Sequence, residues 1–323
     1  MKSVTDFDVQ GKRVLVRCDF NVPLSGDGEI LDDAKIREAL PTLNYLLDHG
    51  AKVIVITHLG DGSESLDTVK ARLFELLALS GVEGLGSIEV SENIRSHKEE
   101  TENDEAFAKK LAAMGDIYIN EAFDVCHRAH ASVVGVPKFL PHGAGFQLQK
   151  EVQVLTQIMQ RPERPMVAII GGAKAETKAK FVEPFCAFAD AVIVSGLIKK
   201  ELIDKKIHLG YPEKVIGPKD DLQALDISVA DVERISKHIF QAKTVFWNGP
   251  FGKCEDEKYR AGTLAIAKAI IESGAFSVVG GGQTVEFLKE EGMIEKFNHV
   301  STAGGAMLEF LSGQELPGLK ALE

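Results

Sequence analysis

The stretch MVAIIGGAKAETK (166–178) runs from apolar residues through a glycine pair into charged residues at helical spacing. An apolar run without alternation suits a strand buried on both faces. The glycines permit a tight turn, and the residues after them start a helix. The same unit recurs in both directions along the chain. Upstream stand RVLVRCDF (13–20), AKVIVITH (51–58), SIEVSENI (87–94) and DIYINEAF (116–123). Downstream stand AVIVSGL (191–197), KTVFWNG (243–249), FSVVGGG (276–282) and HVSTAGG (299–305). Stretches between them, such as IREALPTLNYLLDHG (36–50) and GTLAIAKAIIESG (262–274), have helical spacing and end in Gly. Strands alternating with helices predict an α/β fold of parallel sheets with helices on both faces.

One interruption breaks the alternation. GFQLQKEVQVLTQIMQR reads as a long helix and PERP follows it, which suits an inter-domain connector. The division expected is a first domain over 1–145, a connector helix over 146–162 and a second domain over 163–307. A length of 323 residues agrees with two domains.

Composition narrows the function. Hydrophobic residues make up 45% of the chain and charged residues 26%, an ordinary globular mixture. No apolar run approaches the length needed to cross a bilayer, and the N-terminus lacks the apolar stretch of a signal peptide. A cytoplasmic location is expected. The formal net charge of −11 argues against general affinity for nucleic acid or anionic membrane. Cys18, Cys126, Cys186 and Cys254 are scattered and form no CxxC pair, as in a chain with free thiols.

Ligands of open parallel sheets bind beyond the carboxyl ends of the strands. In the first half those positions hold Asp19 and Asn21, His58, Arg95, and then His127, Arg128 and His130. One such residue alone reads as surface decoration. Repeated at the same place in successive units, they read as a site for a small, multiply charged anion, because Arg forks match carboxylate and phosphate oxygens. The Cys126–His130 segment matches no common structural zinc spacing, so no metal is assigned to it.

In the second half, GGAKAETK (171–178), GGGQT (280–284) and STAGGA (301–306) each place glycines after a strand. Backbone amides and a helix N-terminus at such a turn can receive phosphate. Lys174 and Lys178, four apart, are expected on one helical face. The glycines also permit close helix–strand packing, but three such turns in one domain favour a phosphate or nucleotide site. WNGPFG (247–252) can present Asn248 to a ligand, and Glu255 can accept from ribose hydroxyls or stand as a plain surface carboxylate. This is not a Walker A loop. No GxGxxG follows the first strand, which counts against a dinucleotide-binding oxidoreductase.

RVLVRCDFNVP, THLG, ENIR, AFDVCHRAHAS, GGAKAETK, VFWNGPFG and GGGQT–STAGGA stand in the order found in phosphoglycerate kinases. AGFQLQKEV also resembles the connector of that family, and the resemblance runs from residue 11 to about residue 320. It implies two Rossmann-like domains facing a cleft, the first binding 3-phosphoglycerate and the second the Mg2+ complex of ADP or ATP. It also implies that residues 308–323 return to the first domain. Small-molecule substrates and a monomeric state are expected. Carried over, Asp19, Asn21, Lys35, His58, Arg95, His127 and Arg128 fall on the phosphoglycerate side. Gly172, Lys174, Lys178, Asn248, Pro250, Glu255, Gly281, Gly282, Gln283 and Thr284 fall on the nucleotide side. Lys174, with Lys35 and Arg128, carries the transition-state charge in this assignment.

Five features depart from the family pattern. Lys35 stands for an Arg and loses the bidentate fork. HLGDG (58–62) replaces HLGRP, so Asp61 reverses a charge unless the loop is rebuilt. Gln283 replaces the Asp that anchors magnesium and offers a carbonyl without charge. VSGLI (194–198) keeps one glycine of the turn that normally lies against adenosine. The segment from there to VFWNGP is shortened, its LPVD element and DIGPxT turn have no clear match beyond at most LDISVAD (225–231), and the THLG–ENIR span is trimmed too. The implied activity is therefore phosphoglycerate kinase. The alternative is a catalytically impaired homologue with a binding or regulatory role.

Overall fold

Apolar runs that would be half-exposed in a single-layer sheet become strands buried along most or all of their length in the centres of the sheets. The computed structural model describes residues 1–82 and 84–323. It forms two units, Met1–Val152 with Glu315–Glu323, and Gln153–Gln314.

The first unit holds strands β1 (Arg13–Arg17), β2 (Lys52–Ile56), β3 (Ile88–Val90), β4 (Ile117–Asn120) and β5 (His142–Ala144). They form one sheet in the order β3-β2-β1-β4-β5, parallel throughout. The chain crosses between parallel strands through helices such as Ala34–Asp48, Asp67–Leu79 and Glu105–Ala112. Helix Ala34–Asp48 buries Ile36, Ala39, Leu43, Leu46 and Leu47, an apolar stripe at three- and four-residue spacing. The stripe joins Val14, Val16, Val53 and Val55 of the sheet in one core. Each such Leu or Ile contributes roughly 1.5–3 kcal/mol by leaving water.

The second unit holds β6 (Met166–Ile170), β7 (Ala191–Val194), β8 (Val215–Ile216), β9 (Thr244–Asn248), β10 (Phe276–Gly280) and β11 (His299–Val300). Their order is β11-β10-β9-β6-β7-β8, again parallel throughout. β6, β7 and β9 are buried along their whole length, as their unbroken apolar sequences require. Helix Phe146–Gln160 carries the chain from the first unit into the second.

The structure differs from the sequence reading in extent. The strands stop before the polar residues of each run, so Cys18–Phe20, Thr57–His58 and Glu121–Phe123 lie in turns beyond β1, β2 and β4. β5 and β8 were not foreseen. β5 is the glycine-containing HGA and β8 is two residues long, too short for any periodicity. Both are edge strands.

In both sheets the order reverses beside the first strand. The switch points lie between β1 and β4 and between β6 and β9. Crevices beyond the carboxyl ends of such strand pairs are where ligands enter open α/β sheets.

Candidate functional site

Arg17 ends β1 fully buried, and its guanidinium organises the carboxyl edge of the first sheet. Nε donates to Ser132 Oγ at 2.9 Å, one terminal nitrogen donates to the Cys18 carbonyl, and the other meets His58 Nδ1 at 3.2 Å. A guanidinium only donates, so Nδ1 accepts and the ring proton of His58 sits on Nε2. Ser132 passes the network on, donating N–H and Oγ–H to the buried Glu100 carboxylate at 2.8 and 2.6 Å. Sequence reasoning missed Arg17, Ser132 and Glu100, although a charged residue inside an apolar strand was a usable signal.

Beyond β1, Asp19 meets Lys35 at 2.5 Å, and Lys35 also reaches Asp124 at 3.0 Å. His58 Nδ1 lies 3.7 Å from Asp19. Burial holds the His58 imidazole down to about 2, helped by the charge of Arg17. Burial and the charges of Arg95 and Arg128 hold His130 down to about 4. Both rings are neutral at pH 7, so the histidines supply hydrogen bonds and the arginines supply charge.

Asn21 accepts the Gly60 N–H at 2.8 Å, and Arg95 donates to the Gly60 carbonyl at 3.2 Å. Nε and one terminal nitrogen of Arg95 are buried without a hydrogen-bond partner. Arg95, Arg128, His130, Lys98, Gly60 and Asp61 line an open depression of about 580 Å³. Arg128 is exposed, and its Nε lies 3.3 Å from His127 Nε2. Asp61 does not turn onto the arginines. It accepts N–H and Oγ–H from Ser63 at 3.0 and 2.8 Å, which keeps its carboxyl below the usual range. The loop is rebuilt around glycines: a Cβ on Gly62 would come within 2.3 Å of the Arg95 carbonyl.

At the second switch point the glycine turns lock to one another. Gly171 N–H donates to the Asn248 carbonyl at 2.8 Å and Gly172 N–H to the Pro250 carbonyl at 2.7 Å. These two amides are therefore committed to the fold, where the sequence reading had them free for phosphate. Helix Ala175–Lys178 is a single turn, and Lys174 precedes it as an exposed cap. One helical turn does span the two lysines, Lys178 N–H donating to the Lys174 carbonyl at 3.2 Å, while the Lys174 side chain stays exposed. Lys178 instead folds back, donating to the Gly171 carbonyl at 2.8 Å. Burial and the neighbouring charge of Lys174 lower its ammonium to about 8.

Asn248 is buried, and its side-chain nitrogen has no partner. Gly281 has φ +95°, and a Cβ there would sit 2.9 Å from that nitrogen. Thr284 accepts the Gly249 N–H at 2.9 Å, which makes it a brace between the β9 and β10 turns. Gly282 opens helix Gly282–Glu290, whose first amides have no acceptor inside the helix. Glu255 accepts from the Gln283 side-chain amide.

At the remnant of the adenosine turn, the Leu222 carbonyl lies 2.5 Å from where a Cβ on Gly196 would be. The adjoining cavity, lined by Gly196, Phe251, Asp220, Asp226 and Asp231, has about 180 Å³. That is below the roughly 300 Å³ at which small-molecule pockets begin. Ser228 caps the helix Val229–Gln241 by accepting the Asp231 N–H at 3.2 Å, so LDISVAD forms a turn and a helix start.

Among the described residues, no group of three or more His, Cys, Asp or Glu is placed to hold a metal ion, and no helix is long and apolar enough to cross a membrane.

The phosphoglycerate kinase family model matches residues 4–210 and 204–314. A phosphoglycerate kinase of Rubrobacter xylanophilus is 39% identical over 384 aligned positions, covering 99% of this chain and 98% of the relative. One of Aquifex aeolicus is 38% identical over 389 positions, covering 100% and 98%. Both alignments exceed the 323 residues of the chain, so these relatives carry segments that it lacks. The solved phosphoglycerate kinase of Coxiella burnetii superposes with a TM-score of 0.84 at 31% identity, covering 99% of this chain and 98% of that one. That of Pyrococcus horikoshii OT3 superposes with 0.86 at 30% identity, covering 100% and 98%. Motif order, two parallel α/β units and near-complete coverage agree, and the chain belongs to the phosphoglycerate kinase family.

Proposed function

We propose that the chain carries out reversible phosphoryl transfer between ATP/ADP and 3-phosphoglycerate/1,3-bisphosphoglycerate. The carrying observation is Arg95, whose guanidinium keeps two buried nitrogens without a partner beside Arg128. A buried donor left unpaired costs about 1–3 kcal/mol, and an oxyanion relieves it. The acceptor's phosphate and carboxylate belong on Arg95, Arg128 and His130. Asp19 and Asn21 stand where its hydroxyl and backbone atoms would be held.

Phosphoryl transfer asks a protein for positioning and charge neutralisation more than for covalent chemistry. Lys174 is exposed and so free to meet the moving phosphoryl, and Lys178 stands at the glycine turn to hold nucleotide phosphate. Neutral His58 and His130 keep the acceptor face free of groups that would protonate an acyl phosphate. The donor set fits magnesium arriving with a nucleotide, since Mg2+ takes one or two carboxylates and fills its shell with phosphate and water. Glu255, with the side-chain carbonyl of Gln283, would hold it, and the ion would neutralise phosphate charge. The cytoplasm is the compartment for such a reaction.

A coupled assay with ATP, magnesium and 3-phosphoglycerate tests the reading, with calorimetry for each ligand. Turnover within the ordinary range of about 1–10³ s⁻¹ is expected. Binding of either ligand without turnover supports the second reading, an impaired homologue. That reading is favoured by the double carboxylate on Lys35 and by the engagement of Glu255 with Gln283. Absence of both binding and turnover removes the first.

A further inference from the structure

Lys35 leaves the first turn of helix Ala34–Asp48 and places one ammonium between two carboxylates, 2.5 Å from Asp19 and 3.0 Å from Asp124. The side chain of Asp19 is 8% exposed, that of Lys35 23% and that of Asp124 26%. Two consequences follow. An ammonium has three donors, and two are already committed, so Lys35 has one left for a ligand. One positive charge against two negative ones also leaves the cluster net negative when both carboxyls are ionised. Asp124 thereby offsets part of the positive charge that Lys35, Arg17 and Arg95 present to an arriving anion, at the place where the family assignment puts a cation.

The cluster relieves this by taking up one proton, and its geometry selects where. Asp19 receives Lys35 at the shorter distance and lies beside His58. Burial works to raise Asp19, but the Lys35 charge outweighs it and the carboxyl is held low. Burial raises Asp124, and the neighbouring Asp19 charge adds to the rise against the pull of Lys35. Besides Lys35, the ionisable groups around the pair are Arg17 in β1, Cys18 just beyond it with its thiol pushed well up by burial, His58 beyond β2, Arg95 beyond β3 and Cys126 on the Asp124 turn. His58 stays neutral, as described above, and burial pushes Cys126 up to about 12. Neither exchanges a proton between pH 5 and 8.

We propose that Asp124 is a proton-accepting latch on Lys35, so that an anion docks on this face as Asp124 binds a proton and releases the ammonium. The proton leaves hydronium or the buffer acid, whose bond to it breaks as the O–H bond of Asp124 forms, and the Lys35–Asp124 ion pair is given up. Asp124 is a positioning residue, acting on the ligand through Lys35. The identity of the ligand as 3-phosphoglycerate rests on the function proposed above.

The test is calorimetric titration in two buffers of different ionisation enthalpy, which counts protons taken up per ligand bound. Wild type, Asp124→Asn and Asp124→Ala are compared, each first shown to melt as a folded protein. The probes are 3-phosphoglycerate and inorganic sulfate, whose charge is constant over this range. At pH 7.5 wild type takes up about one proton more than either variant, and the variants bind about tenfold more tightly. At pH 5, with Asp124 already protonated, both differences shrink toward zero. Equal proton counts, with affinities within twofold, overturn the latch; a variant that is tighter or weaker with no difference in proton count also overturns it. Proton uptake with sulfate but no binding of 3-phosphoglycerate keeps the latch and removes the substrate reading. No binding of either probe by any of the three proteins overturns both.

Discussion

Glu121, just beyond β4, shows how a single buried carboxyl ties stability to pH. One oxygen accepts from Thr42 Oγ at 2.6 Å and from the Gln147 N–H at 3.1 Å, while the other is buried without a partner. Burial raises this carboxyl to about 8, against those hydrogen bonds. In the unfolded chain it titrates near 4.5. The folded state therefore holds a proton that the unfolded chain releases, and stability falls as pH rises from about 4.5 to 8. The nominal size is on the order of a few kcal/mol. Glu121→Gln keeps the acceptor and replaces the proton with an amide. Its melting temperature is expected to match wild type at pH 5 and to exceed it by about 3 °C or more at pH 8.5. A difference that is the same at both pH values would show that Glu121 does not titrate. Lys178 is shifted in the opposite direction, and its effect falls on binding. Its ammonium, lowered to about 8, must be charged to hold phosphate. ADP affinity should fall about tenfold per unit above pH 8, and Lys178→Arg, charged throughout, should flatten the profile. Calorimetry from pH 7 to 9.5 reads both. Lys35, Lys178 and Asp19 were visible in the sequence as candidates, but the ion pair of Lys35 with Asp19 and the other partners of the two lysines were not. Asp124 is 89 positions from Lys35, and the motif that contains it does not say that it faces a lysine on another helix. The Gly171 carbonyl that Lys178 grips is backbone, on which composition is silent.

At the scale of elements, the glycine turns after β6, β9 and β10 are one brace. Gly249 has φ +96°, and a Cβ there would lie 2.0 Å from the Gly171 carbonyl. Trp247 Nε1 donates to the Gly249 carbonyl at 2.8 Å, so the turn is held from both sides. Gly249→Ala meets both a backbone penalty of roughly 1–2 kcal/mol and a clash with main chain. It should destabilise the second unit by about 3 kcal/mol or more in urea and weaken nucleotide binding with it. Gly274→Ala is the control. That residue caps helix Ala261–Ser273 at φ +66° with open space around it, so only the backbone penalty applies. Equal losses for the two would mean that the brace contributes nothing beyond backbone conformation. The strands and these turns were legible because buried parallel strands write themselves as unbroken apolar runs ending in glycine. Which amides the turns keep for themselves was not legible, because pairing between turns depends on strand order. β6 and β9 are neighbours in the sheet though they are far apart in the chain.

At the scale of the whole molecule, the first unit is discontinuous: Glu315–Glu323 belongs to it although the second unit intervenes. Leu316 and Leu322 are buried, and Gly318 donates its N–H to the Cys126 carbonyl at 2.8 Å. A Cβ on Gly318 would come within 2.7 Å of Val133, so the segment is seated closely. Its loss bares apolar surface on the turn that carries Asp124, Cys126 and Arg128. Two leucines leaving the core give about 3–6 kcal/mol as an upper range. That cost belongs to the first unit alone if the two units unfold separately. The sole tryptophan, Trp247, is buried in the second unit and reports on it, whereas far-UV circular dichroism reports on both. In a chain ending at Gln314, the circular dichroism midpoint in urea should fall while the Trp247 midpoint stays within error. Leu316→Ala with Leu322→Ala should give the same split at smaller amplitude. If both probes shift together in both variants, the two units unfold as one cooperative body, and the terminal segment stabilises the molecule as a whole.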